Sequence, residues 1–247
     1  MVSLLKLGGS VITDKDRPET VDRASIERAA RDISTFLSDG DERLILVHGG
    51  GSFGHHRASA HDITETRGSR DAAALVDVHR GMGELNDAVL AGLHEHGVQA
   101  IPVRPLSLCY RDEAGTLSMP SRHLAAMLEE IFVPVVHGDV VVHSGSGGTV
   151  LSGDEIVASV ARSLDIERIG LCSTVPGVLD EDGTVIPAID SVDTFADALG
   201  ESDATDVTGG MARKVERMLA LESPASVFGL DELDVFLETG TAGTVIR

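Results

Sequence analysis

Short apolar segments alternate with longer amphipathic segments along this chain, and that alternation limits the folds open to it. Apolar runs predict strands at 3–7, 44–48, 100–103, 133–136, 168–172, 225–229 and 243–246, with a hairpin at 138–152. Helical spacing of apolar residues predicts helices at 23–38, 71–95, 121–132, 154–164, 210–222 and 231–237. Such alternation favours a parallel sheet covered by helices on both faces. We therefore predict an α/β fold, a three-layer αβα sandwich with a mainly parallel central sheet.

The length and the charge of the chain restrict its organisation and its partners. Its 247 residues contain no low-complexity linker, so the two lobes that we predict, 1–150 and 151–247, share one continuous sheet. Forty Asp and Glu against 20 Lys and Arg give a formal net charge of −20, which repels nucleic acids and anionic membranes. Cys109 and Cys172 match no metal or redox spacing, and no basic leader or apolar run of about 18 residues is present. We expect a cytoplasmic protein with no nucleic-acid or membrane partner.

The segment LILVHGGGSFGHH (44–56) holds Gly49, Gly51 and Gly54 in the spacing G-x-G-x-x-G. A dinucleotide-binding fingerprint has this spacing after the first strand, with an acidic residue about 20 positions later at the end of the next strand. Here the glycines follow the second strand, and the segment 20 positions later is predicted to be helical. A G-x-x-x-x-G-K-[ST] loop is absent because no lysine follows these glycines. The spacing therefore does not indicate a dehydrogenase.

Three glycine-rich elements lie where strands end or helices begin: KLGGS (6–10), HGGGSFGH (48–55) and DVTGGMARK (206–214). Glycine lets several backbone amides approach one anion at such places. The acid excess and the scarcity of lysine suggest adaptation to high salt, and the three lysines that remain, Lys6, Lys15 and Lys214, all lie beside the first or third element. Phosphoryl transfer needs mobile cations on several sides of the migrating group. The pattern therefore predicts a phosphoryl-transfer site.

The segments KLGGS, VHGGGSFGH, SGDEIVASVA and DVTGGMARK together resemble the amino acid kinase superfamily over essentially the whole chain. Within it, TDK after the first element and His55 in the second are similar to isopentenyl phosphate kinases of archaeal type. The resemblance implies ATP-dependent phosphorylation of isopentenyl phosphate in isoprenoid biosynthesis, by direct in-line transfer. It implies an acceptor lobe at 1–150, a nucleotide lobe at 151–247 and a homodimer. Mg²⁺ is expected to arrive on the ATP phosphates, with no metal ligand from the protein.

The resemblance also implies roles for individual residues. The expected catalytic residues are Lys6 and Lys15, which stabilise charge, His55, which aims the acceptor, and Asp154, which orders the lysines. The expected ATP-binding residues are Lys6, Gly8, Gly9, Ser10, Gly51, Gly177, Gly209 and Lys214. The expected acceptor-binding residues are Gly50, Gly54, His55 and Gly153. Asp154 is also a candidate N-cap of its helix, as Ser121 is of another.

His55 fits an acceptor that is itself a phosphate monoester. Such a phosphate has a second pKa of about 6, so near neutral pH it is already largely dianionic and needs no general base. Its negative charge must be neutralised and the phosphate must be oriented towards the donor, and an imidazole on a glycine-rich loop can do both. His56 and His61 are expected to be solvated, since no carboxylate or cysteine completes a metal site with them. Helix 71–95 could line an apolar slot through Val78, Met82 and Leu85, although such a stripe is more often plain core.

One loop departs from the family pattern, and two other functions stay open. Where many relatives carry TDVDGV, this chain has STVPGVL, so Thr174 and Pro176 replace acidic residues while Gly177 is kept. Polar nucleotide contacts in this loop are therefore not carried over. The first alternative is a kinase of the same fold that acts on a fosfomycin-like phosphonate, a carbamate or an amino-acid carboxylate. The second is a non-catalytic, ligand-binding member of the fold.

Overall fold

The computed structural model describes residues 2–14, 16–38, 40–193, 195 and 208–247. The strands are β1 Val2–Leu7, β2 Arg43–His48, β3 Ala100–Val103, β4 Tyr110–Arg111, β5 Leu117–Ser118, β6 Val133–His137, β7 Asp139–His143, β8 Gly147–Leu151, β9 Arg168–Ser173, β10 Ala188–Ile189, β11 Ala225–Gly229 and β12 Thr244–Ile246. The helices are α1 Gly9–Ile12, α2 Arg23–Leu37, α3 Gly51–Ala60, α4 Ala72–Glu95, α5 Arg122–Glu129, α6 Gly153–Ser163, α7 Thr208–Leu219 and α8 Leu233–Thr239. Among the residues that these ranges cover, no helix is both long and apolar enough to cross a bilayer.

The central sheet has the strand order β10-β12-β11-β9-β1-β2-β6-β3. Every neighbouring pair in it is parallel except β11 and β12, which confirms the mainly parallel sheet. Strand β1 lies inside the sheet, between β9 and β2, and Lys6 is paired with Leu171 on one side and Val47 on the other. The carboxyl ends of β1, β2 and β6 therefore meet at one edge, where the loops that follow them come together.

Successive side chains of β1 and β2 pack alternately against the two helical layers. Leu5 and Leu7 pack with residues of α2, α4 and α8 on one face of the sheet. Leu4 packs with residues of α5, α6 and α7 on the other face. Successive side chains of a strand point to opposite faces, so Lys6 shares the face of Leu4. The period of two thus directs this ammonium group towards α6 and α7.

A second sheet of four strands, in the order β5-β4-β7-β8, lies outside the central one. The predicted hairpin is present as the antiparallel pair β7 and β8, but it belongs to this second sheet. Val140 and Val150 of the hairpin pack with Val78 of α4. The second sheet was not predicted, because β4 and β5 contain two residues each and are too short to show a period.

Several local predictions need correction. The segment after β2 forms the helix α3 instead of staying a loop. Ser152, not Asp154, caps α6: its hydroxyl accepts a hydrogen bond from the Glu155 N–H at 3.4 Å, and Asp154 lies in the first turn. Ser121 stands at the N-cap position of α5, but its side chain makes no capping hydrogen bond. Helix α7 occupies 208–219 instead of 210–222.

Candidate active site

A cavity of about 450 Å³ opens at the edge where β1, β2 and β6 end. It brings together residues from all three glycine-rich elements and from the first turn of α6. The predicted site residues that line it are Lys6, Gly9, Ser10, Gly50, Gly51, Gly54, His55, Gly153, Asp154 and Lys214. Two of the three lysines therefore converge on one cavity with the histidine. Lys15 lies outside the described residues.

Gly8 and Gly177, both described, lie outside the lining of this cavity. The Gly8 N–H donates to the carbonyl of Cys172 at 2.9 Å, which ties the end of β1 to β9. A Cβ on Gly177 would lie 2.6 Å from a methyl carbon of Val185 and 2.7 Å from Oγ1 of Thr244, so this glycine permits close packing. Gly209 is the second residue of α7. The ATP-binding roles of these three glycines stay predictions.

Asp154 interacts electrostatically with both lysines of the cavity. Its Oδ1 accepts a hydrogen bond from Nζ of Lys6 at 2.6 Å. Burial acts to raise the pKa of Asp154, but the charges of Lys6 and Lys214 outweigh it and hold this pKa below its usual value. Burial lowers the pKa of Lys214, and the Asp154 carboxylate opposes that change. A Cβ on Gly153 would lie 3.0 Å from Cε of Lys6, so glycine there leaves room for the lysine.

Two arginines of α7 also line the cavity, and neither was predicted from the sequence. Arg217 lies four residues after Arg213 and three after Lys214 on α7, and all three side chains line the cavity. The Arg217 guanidinium donates to Oγ of Ser152 at 3.4 Å. The basic residues of the lining are Lys6, Arg213, Lys214 and Arg217, and the acidic ones are Glu65, Asp139 and Asp154. Among the residues that the structure describes, the lining thus holds more cationic side chains than carboxylates, in contrast to the chain as a whole.

The first two glycine-rich elements touch backbone to backbone. A Cβ on Gly9 would lie 2.0 Å from the backbone N of Gly51, and one on Gly49 would lie 2.7 Å from the backbone N of Gly9. Gly51 has a φ of +49°, in the left-handed region that favours glycine. Side chains at these positions are excluded, so backbone groups of both elements can reach the same anion.

Helix α3 carries His55, which is exposed at the cavity, and Arg57 anchors this helix. The Arg57 guanidinium contacts Glu19, and it donates to Glu84 at 3.0 Å and to the carbonyl of Asp77 at 3.1 Å. These contacts tie α3 to α4 and to the segment before α2. His55 therefore projects from a helix that is fixed on two sides.

The apolar wall of the cavity comes from α4 and from the segment that follows α3. Ile63, Val78 and Met82 all line the cavity. A Cβ on Gly54 would lie 2.8 Å from Sδ of Met82, so this glycine lets α3 approach α4. Leu85 instead packs in the core beside α2 and does not belong to the lining. Two of the three residues named for an apolar slot therefore border the site.

Two buried histidines lie beneath the glycine-rich elements. The Nδ1 of His48 donates to the carbonyl of Gly49 at 3.1 Å, and that of His137 donates to the carbonyl of Gly138 at 2.9 Å. Burial, together with the charge of His137, lowers the pKa of His48 to about 4, and burial also lowers the pKa of His137. The neutral His48 ring carries its proton on Nδ1, so Nε2 can only accept a hydrogen bond. The side-chain amide of Asn86, 3.1 Å from Nε2, must therefore be oriented with its NH₂ group as the donor. These rings fix the carbonyls at the ends of β2 and β6.

The other two histidines of this region do not join the cavity lining. His56 is exposed, and Nε2 of His61 lies 2.9 Å from Oδ2 of Asp77. In the described ranges, no group of three or more His, Cys, Asp or Glu side chains is placed to hold a metal ion. His61 therefore pairs with Asp77 of α4 by a hydrogen bond, a contact that was not predicted from the sequence.

A second cavity, of about 400 Å³, shares Ser10 with the first. Thr174 and Pro176, the residues that depart from the family pattern, line it. Its charged residues are Asp22, Asp231 and Glu232. As far as the structure describes the two linings, both contain carboxylates, but lysine and arginine side chains border only the first cavity, so its electrostatics are the more favourable for phosphate groups.

The comparisons with known proteins agree on one family. The model of the amino acid kinase family matches residues 1–223. An isopentenyl phosphate kinase from Haloferax volcanii is 54% identical over 244 residues, which cover 99% of this chain and 98% of that protein. An isopentenyl phosphate kinase from Methanocaldococcus jannaschii is 31% identical over 226 residues, which cover 87% of this chain and 86% of that protein. The match thus extends over nearly the full length of each relative.

A solved structure shows the same fold. An X-ray structure of an isopentenyl phosphate kinase superposes on this chain with a TM-score of 0.85 at 28% sequence identity. The superposition covers 100% of both chains. The two-sheet architecture, including the small outer sheet, is therefore compatible with that fold over its whole extent.

Proposed function

This chain belongs to the amino acid kinase family, and on that premise we propose that it phosphorylates isopentenyl phosphate to isopentenyl diphosphate with ATP. The observation that carries the proposal is the composition of one cavity. Lys6, Lys214 and His55 are among its polar lining residues, and Val78 and Met82 are among its apolar ones. A small molecule with a phosphate at one end and a hydrocarbon chain at the other matches both parts.

The transfer is direct and in line, because the acceptor phosphate is already an adequate nucleophile. Its second pKa is about 6, so near neutral pH it carries two negative charges without a general base. Two anions must be brought together, and cations must stabilise the charge that spreads over the migrating group. Lys6 and Lys214 supply that charge, and Asp154 holds their ammonium groups in fixed positions. Lys15 is proposed as a third cation on the basis of the family resemblance.

His55 binds and orients the acceptor phosphate. It projects from α3 at the cavity, and an imidazole N–H can donate to a phosphate oxygen. The amides of Gly50 and Gly51 border the same space, with Gly54 and Gly153 leaving room beside them. The prenyl chain then extends along Ile63, Val78 and Met82. The acceptor half thus comes mainly from residues 1–150.

ATP binds on the side of the cavity opposite the acceptor. Gly9, Ser10 and Lys214 are proposed to bind its phosphates, with residues 151–247 as the nucleotide half. The cation-rich lining fits a polyphosphate, and Arg213 and Arg217 add two charges to those predicted. Mg²⁺ fits as a companion of the ATP phosphates, and we assign it no side chain.

Four broader proposals follow from weaker observations. The product enters isoprenoid biosynthesis, and the protein forms a homodimer as other members of its superfamily do. A cytoplasmic location is supported by two buried thiols, whose pKa values burial raises to about 11 for Cys109 and about 12 for Cys172. Adaptation to high salt is supported by the net charge of −20. Light scattering in molar salt measures the oligomeric state directly.

A panel of acceptors tests the proposed reaction. The purified protein is assayed in high salt by coupled ADP release with isopentenyl, dimethylallyl and geranyl phosphates, and with acetylglutamate, carbamate and fosfomycin as alternatives. We expect the highest kcat/KM with isopentenyl phosphate. A higher kcat/KM with a carboxylate or phosphonate acceptor would overturn the assignment, and ATP binding without turnover of any acceptor would favour a ligand-binding protein.

The variant His55→Ala tests the acceptor side alone. We expect it to lower kcat/KM for isopentenyl phosphate by about 100-fold, while the Kd for ATP changes less than about threefold. His56→Ala is the matched control, because the neighbouring residue is also an exposed histidine of α3 but does not line the cavity. Near-normal turnover by His55→Ala would contradict the role of this residue.

A further inference from the structure

Thr13 connects the first glycine-rich element, KLGGS (6–10), to the second, HGGGSFGH (48–55), through one buried hydroxyl. Its Oγ1 donates a hydrogen bond to the carbonyl of Gly9 at 2.8 Å and accepts one from the N–H of Ser52 at 3.0 Å. The residue is 3% exposed. A hydroxyl has one proton to donate, and here that proton goes to the first element while a lone pair serves the second.

The bond to Ser52 is a helix cap supplied from another part of the chain. Ser52 is the second residue of α3, and its N–H is one of those that a helix leaves without an internal partner. The residue at the N-cap position usually accepts this hydrogen bond with its own side chain. Here that residue is Gly50, which has no side chain. Thr13 takes over the function of the missing cap.

The space around Gly50 explains why the cap comes from elsewhere. A Cβ on Gly50 would lie 3.1 Å from Cα of Gly54 and 3.2 Å from Sδ of Met82. Gly50 also borders the cavity, where a side chain would cover the backbone amides. A cap delivered by Thr13 stabilises the start of α3 and leaves this part of the cavity open.

Thr13 is itself held firmly. It forms an antiparallel bridge with Val21. On either side of it, the N–H of Asp14 donates to the carbonyl of Thr20 and the N–H of Asp22 donates to the carbonyl of Ile12, both at 2.9 Å. The hydroxyl is therefore presented from a paired segment with little freedom to shift.

We propose that Thr13 is a positioning residue that sets the spacing between the element carrying Lys6 and the helix carrying His55. The proposal rests on the proposed function, because this spacing matters when a donor and an acceptor phosphate must meet in line. A misplacement of about 1 Å between reacting groups can cost about 100-fold in rate. Thr13 acts on the reaction through Gly9 and Ser52 and does not touch the substrates.

The decisive comparison is between Thr13→Val and Thr13→Ser. Valine keeps the shape of threonine and removes the hydroxyl, whereas serine keeps the hydroxyl and loses a methyl group. We expect Thr13→Val to lower kcat about 100-fold with KM values for ATP and isopentenyl phosphate within about threefold of the wild type. Thr13→Ser should stay within about threefold of the wild type in kcat. Thr35→Val is the control for the exchange itself, since Thr35 is exposed and its hydroxyl donates to the carbonyl of Arg31 in the same helix.

Two further measurements keep the outcome clear. If Thr13→Val does not fold, Thr13→Cys replaces it, because cysteine is close to serine in size and its thiol is a weak hydrogen-bonding group. Equal kcat values for the serine and cysteine variants, or a valine variant with unchanged kcat, would overturn the positioning role. The wild type is assayed alongside, so its failure to phosphorylate isopentenyl phosphate would reject the proposed function instead.

Discussion

The buried imidazole of His48 should make the stability of this protein depend on pH in a defined window. Folding lowers the pKa of His48 from 6.5 to about 4, so the folded state keeps the ring neutral where the unfolded chain protonates it. Between pH 6.5 and 4 the unfolded chain therefore binds more protons than the folded protein, and acid favours unfolding. The stabilisation from the neutral ring is fully present above pH 6.5 and is lost as the pH falls towards 4.

The magnitude follows from the two pKa values. Linkage gives a loss in the free energy of unfolding of about 2 kcal/mol at pH 5 and about 3 kcal/mol at pH 4, relative to neutral pH. Below pH 4 the folded protein also protonates the ring, so this contribution stops changing. A loss of this size is a large part of the stability of an ordinary domain.

The variant His48→Gln isolates this contribution. Glutamine is polar and does not titrate, while every carboxylate and the neighbouring His137 are common to both proteins. Urea unfolding followed by circular dichroism at pH 7, 6, 5 and 4, at constant ionic strength, gives the free energy of unfolding of each. We expect the advantage of the wild type over the variant to shrink by about 3 kcal/mol between pH 7 and pH 4. A difference that stays constant across this range would refute the reasoning.

Two further predictions concern the site. In Asp154→Asn, no carboxylate opposes the effect of burial on Lys214, so the pKa of Lys214 falls further. We therefore expect kcat to drop about 100-fold and the alkaline limb of the pH–rate profile to move to lower pH. An alkaline limb at the wild-type pH would contradict this prediction. Gly9→Ala places a methyl 2.0 Å from the backbone N of Gly51 and should abolish transfer. Its control, Gly83→Ala in α4, meets nothing within 4 Å and should keep kcat while raising the free energy of unfolding by about 1 kcal/mol; similar kinetics for both variants would contradict the steric argument.

The elements that the sequence predicted well are those whose apolar pattern is produced by burial. Strand β2 is buried from Leu44 to His48, and its apolar run is visible in the sequence. Helix α2 buries Ile26 and Ile33 at helical spacing, and Gly40 follows its end. For such segments the local pattern and the tertiary environment carry the same information.

Helix α3 shows where that reasoning fails. Only Gly51, Phe53 and Ala58 are buried in it, so it has almost no apolar face to recognise. Its stability comes from partners far away in sequence, such as the Thr13 hydroxyl and the carboxylates around Arg57. A helix that is maintained by tertiary contacts leaves little trace in its own residues.

The site was predictable to the extent that it depends on a rare residue type or on a resemblance. Lys6 and Lys214 stand out because the chain has only three lysines. Arg217 is one of 17 arginines, and only the cavity distinguishes it from the others. Its spacing of three residues from Lys214 on one helix was the available signal.

The contrast between a cation-rich cavity and a strongly acidic chain has a consequence for how substrates arrive. ATP and a prenyl phosphate are anions, so a molecule with a net charge of −20 repels both until they reach the cavity. The Debye length is about 30 Å at 0.01 M salt but about 3 Å at 1 M. Added salt therefore removes the long-range repulsion before it weakens the contacts inside the cavity. Encounter with substrate should accelerate with ionic strength, the reverse of what holds for enzymes that attract their ligands from a distance.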